Sequence, residues 1–207
     1  MDRFVLVRLD KALRIKDALL SVLSGPRKEK AMRYVQEADQ VRSALGTLLI
    51  GAYAGKGELS YNEYGKPYLP EGPYFSISHG GSFICIYVSD EEVGVDVESV
   101  DRCEVKLAKA AMTTEEAKEI HDKRSMALAW TRKEAIAKCL GTGIEKPRTY
   151  GVAQVGVNQY TYRGETYFTK SIELDRHVLC LCNKSGRGFP PLEKVTVEAL
   201  LRLYLGE

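Results

Sequence analysis

Short runs of period-two residues, punctuated by paired glycines and acidic turns, most narrow what this chain can fold into. Residues 74–79 and 82–88 read as strands, and Gly80-Gly81 between them reads as a hairpin turn. Asp90-Glu91-Glu92 turns the chain again, into a third strand over residues 94–100. Helical spacing flanks this set. Leu13, Ala18, Leu19, Leu20 and Leu23 predict a helix over residues 11–23, broken by Gly25-Pro26. Pro26 suits the first turn of a longer helix carrying Ala31, Tyr34, Val35, Ala38, Val41, Leu45, Leu48 and Leu49. Residues 55–72, rich in Gly and Tyr, read as loop.

The second half repeats the mixture. Thr113-Thr114-Glu115-Glu116 matches a capping box, and residues 125–140 form a helix closed by Gly141-Thr142-Gly143. Strands are expected over 151–157, 165–172 and 177–183, and residues 186–191 read as loop. The fold class expected is α+β, with an antiparallel sheet packed on helices in each half. No linker of low complexity separates the halves.

At 207 residues the chain can bury a sizeable core, and a hydrophobic share of 44% with 28% charged residues argues against disorder. A formal net charge of +2 carries no global nucleic-acid signal, so an anion site must come from local clustering. No apolar run approaches the roughly 20 residues of a membrane span. The N-terminal residues alternate like a strand rather than a signal peptide. The cysteines, Cys85, Cys103, Cys139, Cys180 and Cys182, lack metal spacing and read as thiols in a reducing cytoplasm.

Chemistry concentrates in two segments. On a strand, Asp96 and Glu98 of Gly94-Val95-Asp96-Val97-Glu98 point to one side. Such a pair is commonly solvent-facing, but the flanking valines imply a buried face, where two carboxylates repel unless a divalent cation relieves them. In the second segment Trp130, Glu134 and Lys138 recur every four residues and share a helix stripe. Glu134 reads either as a surface partner of Lys138 or as a third oxygen ligand or general base. Ser78 and His79 precede the Gly turn and face opposite ways, which suits anion donors better than a nucleophile and base. Lys66, in a Gly-Lys-Pro turn, and Arg27, Lys30 and Arg42 on the basic helix could add charge to the same anion, or simply be solvated. Glu116 reads as a cap; His121 and His177 join no constellation.

Taken in order, Tyr64-Gly65-Lys66-Pro67, Phe75-Ser76-Ile77-Ser78-His79, Gly94-Val95-Asp96-Val97-Glu98 and Trp130-x-x-Lys133-Glu134-Ala135-x-x-Lys138 resemble the 4′-phosphopantetheinyl transferase superfamily, Sfp type. Ser76 stands where that family usually has Asn, and Thr142 where it often has Lys. The resemblance implies transfer of 4′-phosphopantetheine from coenzyme A to a serine of an apo carrier protein (acyl, polyketide or peptidyl), leaving 3′,5′-ADP. It implies Mg²⁺, with Mn²⁺ an alternative, held by Asp96, Glu98 and Glu134. Glu134 would be the base, Lys138 would stabilise or protonate the departing phosphate, and Arg27, Lys30, Arg42, Lys66, Ser78 and His79 would grip the nucleotide phosphates. It also implies a single-chain pseudodimer, residues 1–92 gripping coenzyme A and 93–207 carrying the carboxylates, with the halves meeting near residues 88–94. A cytoplasmic monomer that binds neither nucleic acid nor membrane is expected. The rival is a non-catalytic module of the same fold that binds coenzyme A, a nucleotide or a carrier protein.

Overall fold

A computed structural model describes residues 2–144 and 151–207. Strand β1 (Arg3–Arg8) leads into a broken helical segment: α1 (Leu9–Ala12), a 3-10 turn (Leu13–Ile15) and α2 (Lys16–Ser21). Helices α3 (Gly25–Met32) and α4 (Glu37–Tyr53) follow, then the ribbon β2 (Ser60–Tyr61) and β3 (Pro67–Tyr68) and the hairpin β4 (Tyr74–Gly80) and β5 (Phe83–Ser89). Strand β6 (Val93–Ser99) runs through α5 (Ala108–Ala111) and α6 (Thr114–Lys118) to α7 (Lys123–Leu140). After residue 150 come β7 (Ala153–Gly156), β8 (Gln159–Tyr162), β9 (Glu165–Leu174), β10 (His177–Asn183), β11 (Leu192–Lys194) and α8 (Val197–Leu205).

Among the described residues one sheet has the order β11-β1-β5-β4 and another β6-β10-β9-β8-β7. Alternation along the strands sorts side chains into separate cores. Phe4, Leu6, Phe83, Tyr87, Val93, Val95, Val97, Leu179 and Leu181 cluster between the two sheets. The other face of the first sheet, with Val5, Val7, Ile84 and Ile86, packs against residues of α1, α2, α4 and α8. The other face of the second sheet, with Cys180, Cys182 and Tyr160, packs against Ala135, Ile136 and Cys139 of α7. The result is helix, sheet, sheet, helix.

Several sequence expectations need correction. The long helix expected after Pro26 is two helices, interrupted over residues 33–36, where Gln36 is extended and Val35 is 91% exposed. No Gly or Pro marks this break. Its consequence is positional: on one straight helix Arg27 and Arg42 would lie about 22 Å apart, yet both line one crevice. The hairpin turn is Gly81-Ser82, because Gly80 still pairs with Phe83. The expected antiparallel pairing holds except between β1 and β11, which run parallel. Strand β8 and helix α8 were not legible at all, and Val197 and Leu200 of α8 join the core beneath the first sheet.

Two glycines bring the layers together. A Cβ on Gly94 would sit 1.8 Å from the Ala135 carbonyl oxygen, so α7 lies directly on the β6 backbone. A Cβ on Gly80 would sit 2.1 Å from the Val97 carbonyl oxygen, so the end of β4 presses on the same strand. Strand β6 is thereby held between a helix and the edge of the other sheet.

Candidate active site

The edge of β4 meets β6 through side chains rather than ladder bonds. Ser76 Oγ accepts the Val95 N–H at 3.0 Å, and Ser78 Oγ donates to Asp96 Oδ1 at 2.6 Å. Ser76, at the position of the family's usual Asn, thus ties the two sheets. Period two puts Val93, Val95 and Val97 into the intersheet core and leaves Gly94, Asp96 and Glu98 facing α7 and the crevice beyond it. Because α7 rests on Gly94, its stripe of Trp130, Glu134 and Lys138 lines the same space.

Asp96 is the centre of the arrangement, only 4% exposed. Lys138 Nζ donates to Asp96 Oδ1 at 2.7 Å and to Ser78 Oγ at 2.8 Å. The other oxygen, Oδ2, is buried and has no hydrogen-bond partner among the described residues. A buried acceptor left in that state costs about 1–3 kcal/mol.

The charges around it are strongly coupled. Burial pushes Glu98 up to about 7; Asp96 and Glu134 add to the rise, while Lys138 and the Trp130 indole oppose it. Burial also raises Glu134, with Lys138 opposing and Asp96 assisting. Burial works against the charge of Lys138, but Asp96 and Glu134 outweigh it and its pKa is raised. These shifts describe a carboxylate-rich pocket with one cation to balance it.

The crevice has a volume of about 630 Å³ and continues from this acidic end to a basic one. Arg27, Lys30, Arg42 and His79 line it there. Arg27 donates to the Gly57 carbonyl at 2.8 Å, Lys30 lies over the Tyr61 ring with its amine 5.4 Å from the centroid, and Arg42 pairs with Asp39. Desolvation, Arg42 and Lys138 lower the pKa of His79.

Every site residue expected from sequence is brought to this crevice except Lys66. Its neighbours Gly65 and Pro67 reach the wall, but the Lys66 amine turns to the Val93 carbonyl at 3.3 Å, and burial lowers its pKa. Among the described residues no three His, Cys, Asp or Glu side chains are gathered closely enough to hold a metal ion as they stand. The donor set nonetheless fits a hard cation in its chemistry: oxygen ligands, mutual repulsion and one orphaned buried oxygen on Asp96. Asn62, missed in the sequence, braces the rim: its Nδ2 donates to the Gly141 carbonyl at 2.7 Å, and its Oδ1 accepts the Tyr64 and Lys66 N–H groups. An Asn opening a Gly-containing turn was the available signal.

The family model described as the 4′-phosphopantetheinyl transferase superfamily matches residues 92–182, a span that takes in Asp96, Glu98, Glu134 and Lys138. The chain is 26% identical over 147 residues to the 4′-phosphopantetheinyl transferase Sfp of Bacillus subtilis (strain 168), covering 63% of this chain and 66% of that one. It is 30% identical over 143 residues to the 4′-phosphopantetheinyl transferase gsp of Aneurinibacillus migulanus, covering 62% and 60%. It is 40% identical over 95 residues to the 4′-phosphopantetheinyl transferase AcpT of Escherichia coli (strain K12), covering 41% and 49%. The matched part spans less than two thirds of each of these relatives. The motifs, the family match and these relatives agree: the chain is similar to the 4′-phosphopantetheinyl transferase superfamily, and to its Sfp-like members.

Proposed function

We propose that this chain transfers 4′-phosphopantetheine from coenzyme A to a serine of an apo carrier protein, releasing 3′,5′-ADP. The observation that carries the reading is the single crevice with buried Asp96 and half-buried Glu98 and Glu134 at one end and the cations Arg27, Lys30 and Arg42 at the other. A diphosphate ester with a further phosphate on its nucleoside needs both ends. Arg27, Lys30, Arg42 and His79 bind the nucleotide phosphates, and Arg27 and Arg42 supply forked donors. Lys66, turned to Val93, contributes through the loop it anchors.

Asp96, Glu98 and Glu134 would hold Mg²⁺, which supplies charge neutralisation at the diphosphate when bound. Glu134, desolvated and raised, takes the proton of the incoming serine hydroxyl. The serine oxygen forms a bond to the phosphorus bearing pantetheine, and the bond from that phosphorus to the bridging oxygen breaks. Lys138, held on Asp96 and Ser78, stabilises or protonates the departing 3′,5′-ADP phosphate. Ser78 positions Asp96 and Lys138 through its hydrogen bonds.

We also take the chain to work as one polypeptide, in two similar halves dividing near residue 92. The support is a shared connection order. In each half the first strand pairs antiparallel with the second strand of a later hairpin, β1 with β5 and β6 with β10. A cytoplasmic setting agrees with the five free cysteines and with no helix, among the described residues, being long and apolar enough to cross a membrane.

The test is mass spectrometry of several apo carrier proteins incubated with the chain, coenzyme A and Mg²⁺. A gain of one phosphopantetheine on the carrier serine supports transfer. Binding of coenzyme A with no gain on any carrier favours the non-catalytic module.

A further inference from the structure

We propose that the buried ion pair between Glu116 and Lys133 is a positioning device, which sets how α7 presents Trp130, Glu134 and Lys138 to Asp96. Glu116 was legible as a helix cap, and it does close the capping box of α6 with Thr113. A cap needs only that contact, and it is ordinarily solvated. Here both carboxylate oxygens are committed. Oε2 accepts from the Thr113 N–H at 2.8 Å, from Thr113 Oγ1 at 3.0 Å and from Lys133 Nζ at 2.7 Å; Oε1 accepts the Val152 N–H at 2.9 Å. The side chains are 10% and 0% exposed, so the pair lies in the interior. One carboxylate therefore joins α6, the middle of α7 and the chain leading into β7.

Lys133 precedes Glu134, so it leaves the α7 axis about 100° away from the Glu134 side chain. It anchors the helix on one side, while the close approach at Gly94 pins another. Removing one partner loosens the tie between α6, α7 and the chain into β7, which the fold answers by letting water in or by rolling α7. Because Gly94 leaves α7 no clearance, a roll moves Glu134 and Lys138 relative to Asp96. Neither Glu116 nor Lys133 lines the crevice, so both act through the stripe rather than on substrate.

The kinetic arm of the test rests on the transfer reading above; the spectroscopic arm does not. Trp130 is the only tryptophan in the chain and belongs to the affected stripe, so its fluorescence reports the placement of α7 without any substrate. Glu116→Gln removes the charge, and Thr113→Val removes the capping hydroxyl while leaving the ion pair. In Glu116→Gln, Trp130 emission and acrylamide quenching shift. With coenzyme A, Mg²⁺ and an apo carrier, its kcat falls about 10²-fold, the order that a 1 Å misplacement costs, with KM for coenzyme A little changed. Thr113→Val keeps wild-type emission and kcat. Wild-type emission and kcat in Glu116→Gln, with only a lower Tm, would reduce Glu116 to a cap and overturn the proposal. Should Glu116→Gln not fold, Lys133→Arg keeps the charge but enlarges the group. A shifted Trp130 emission then supports the proposal, and an unshifted one overturns it. Absence of transfer by the wild-type chain would count against the proposed function and leave the Trp130 comparison standing.

Discussion

The two ends of the crevice are built in opposite ways. At the acidic end, Asp96 is 4% exposed, bonded to Ser78 and Lys138, and carried on a strand pressed by the backbones of α7 and β4. At the basic end, Arg27 and Lys30 sit on an eight-residue helix that opens with Gly25-Pro26, and their partners are a carbonyl oxygen and an aromatic ring. The acidic end fixes angles and suppresses water, which is what differential stabilisation of a transition state demands. The basic end offers long side chains that lose little by rearranging, which suits holding a polyanion. On the proposed function, chemistry and grip are separated along one crevice, and their failures should be separable too.

The comparison breaks most severely at Gly94. A Cβ there, 1.8 Å from the Ala135 oxygen, has no flexible side chain to displace, so α7 must lift from β6. Gly94→Ala should cost about 3 kcal/mol of stability, toward the upper end of overpacking penalties, and should remove nearly all transfer. Thermal denaturation alongside a carrier mass assay checks both.

A smaller effect sharpens the electrostatic half of the contrast. The folded pKa of Glu98, about 7, lies above its ordinary 4.5. The folded chain therefore keeps a proton that the unfolded chain has released. Relative to alkaline pH, the stability contribution of Glu98 is fully present below about 4.5 and is lost as pH rises through about 7. Without metal, Tm should fall from pH 5 to pH 8 in the wild type, and more gently in Glu98→Gln, where the same-sign slope of Glu134 remains. Equal slopes in the two proteins would contradict the coupling. At the basic end His79→Ala should raise KM for coenzyme A about tenfold, the worth of one charge-assisted hydrogen bond, and spare kcat. A fall in kcat at saturating coenzyme A would place His79 in the chemistry instead.

The acidic end was the more legible from sequence, for a physical reason. Period two in residues 93–99 fixes which side chains share a face, and a stripe at 130, 134 and 138 fixes the helix, so both halves were written locally. What joined them was Gly94, a backbone approach rather than a side chain. The basic end was legible as residues but not as geometry, because Tyr34 and Val35 continue helical spacing through a break that no Gly or Pro announces. Lys66 could not be aimed, since the turn that carries it is oriented by Asn62 bonding a residue 79 positions away. Strand β11 escaped notice because its partner is β1, at the far end of the chain. Glu116 was read correctly as a cap, yet its bond to Lys133 lies 17 residues away and only packing could reveal it.

The most direct test of the division between chemistry and grip uses one preparation of Glu134→Gln. Coenzyme A binding is measured by calorimetry, and transfer by the intact mass of an apo carrier incubated with coenzyme A and Mg²⁺. The account predicts a dissociation constant close to wild type and no detectable mass gain on a timescale that converts the carrier completely with the wild-type chain. Carrier gaining phosphopantetheine at a near-normal rate would contradict it, and the proton of the serine would then have to leave by another route.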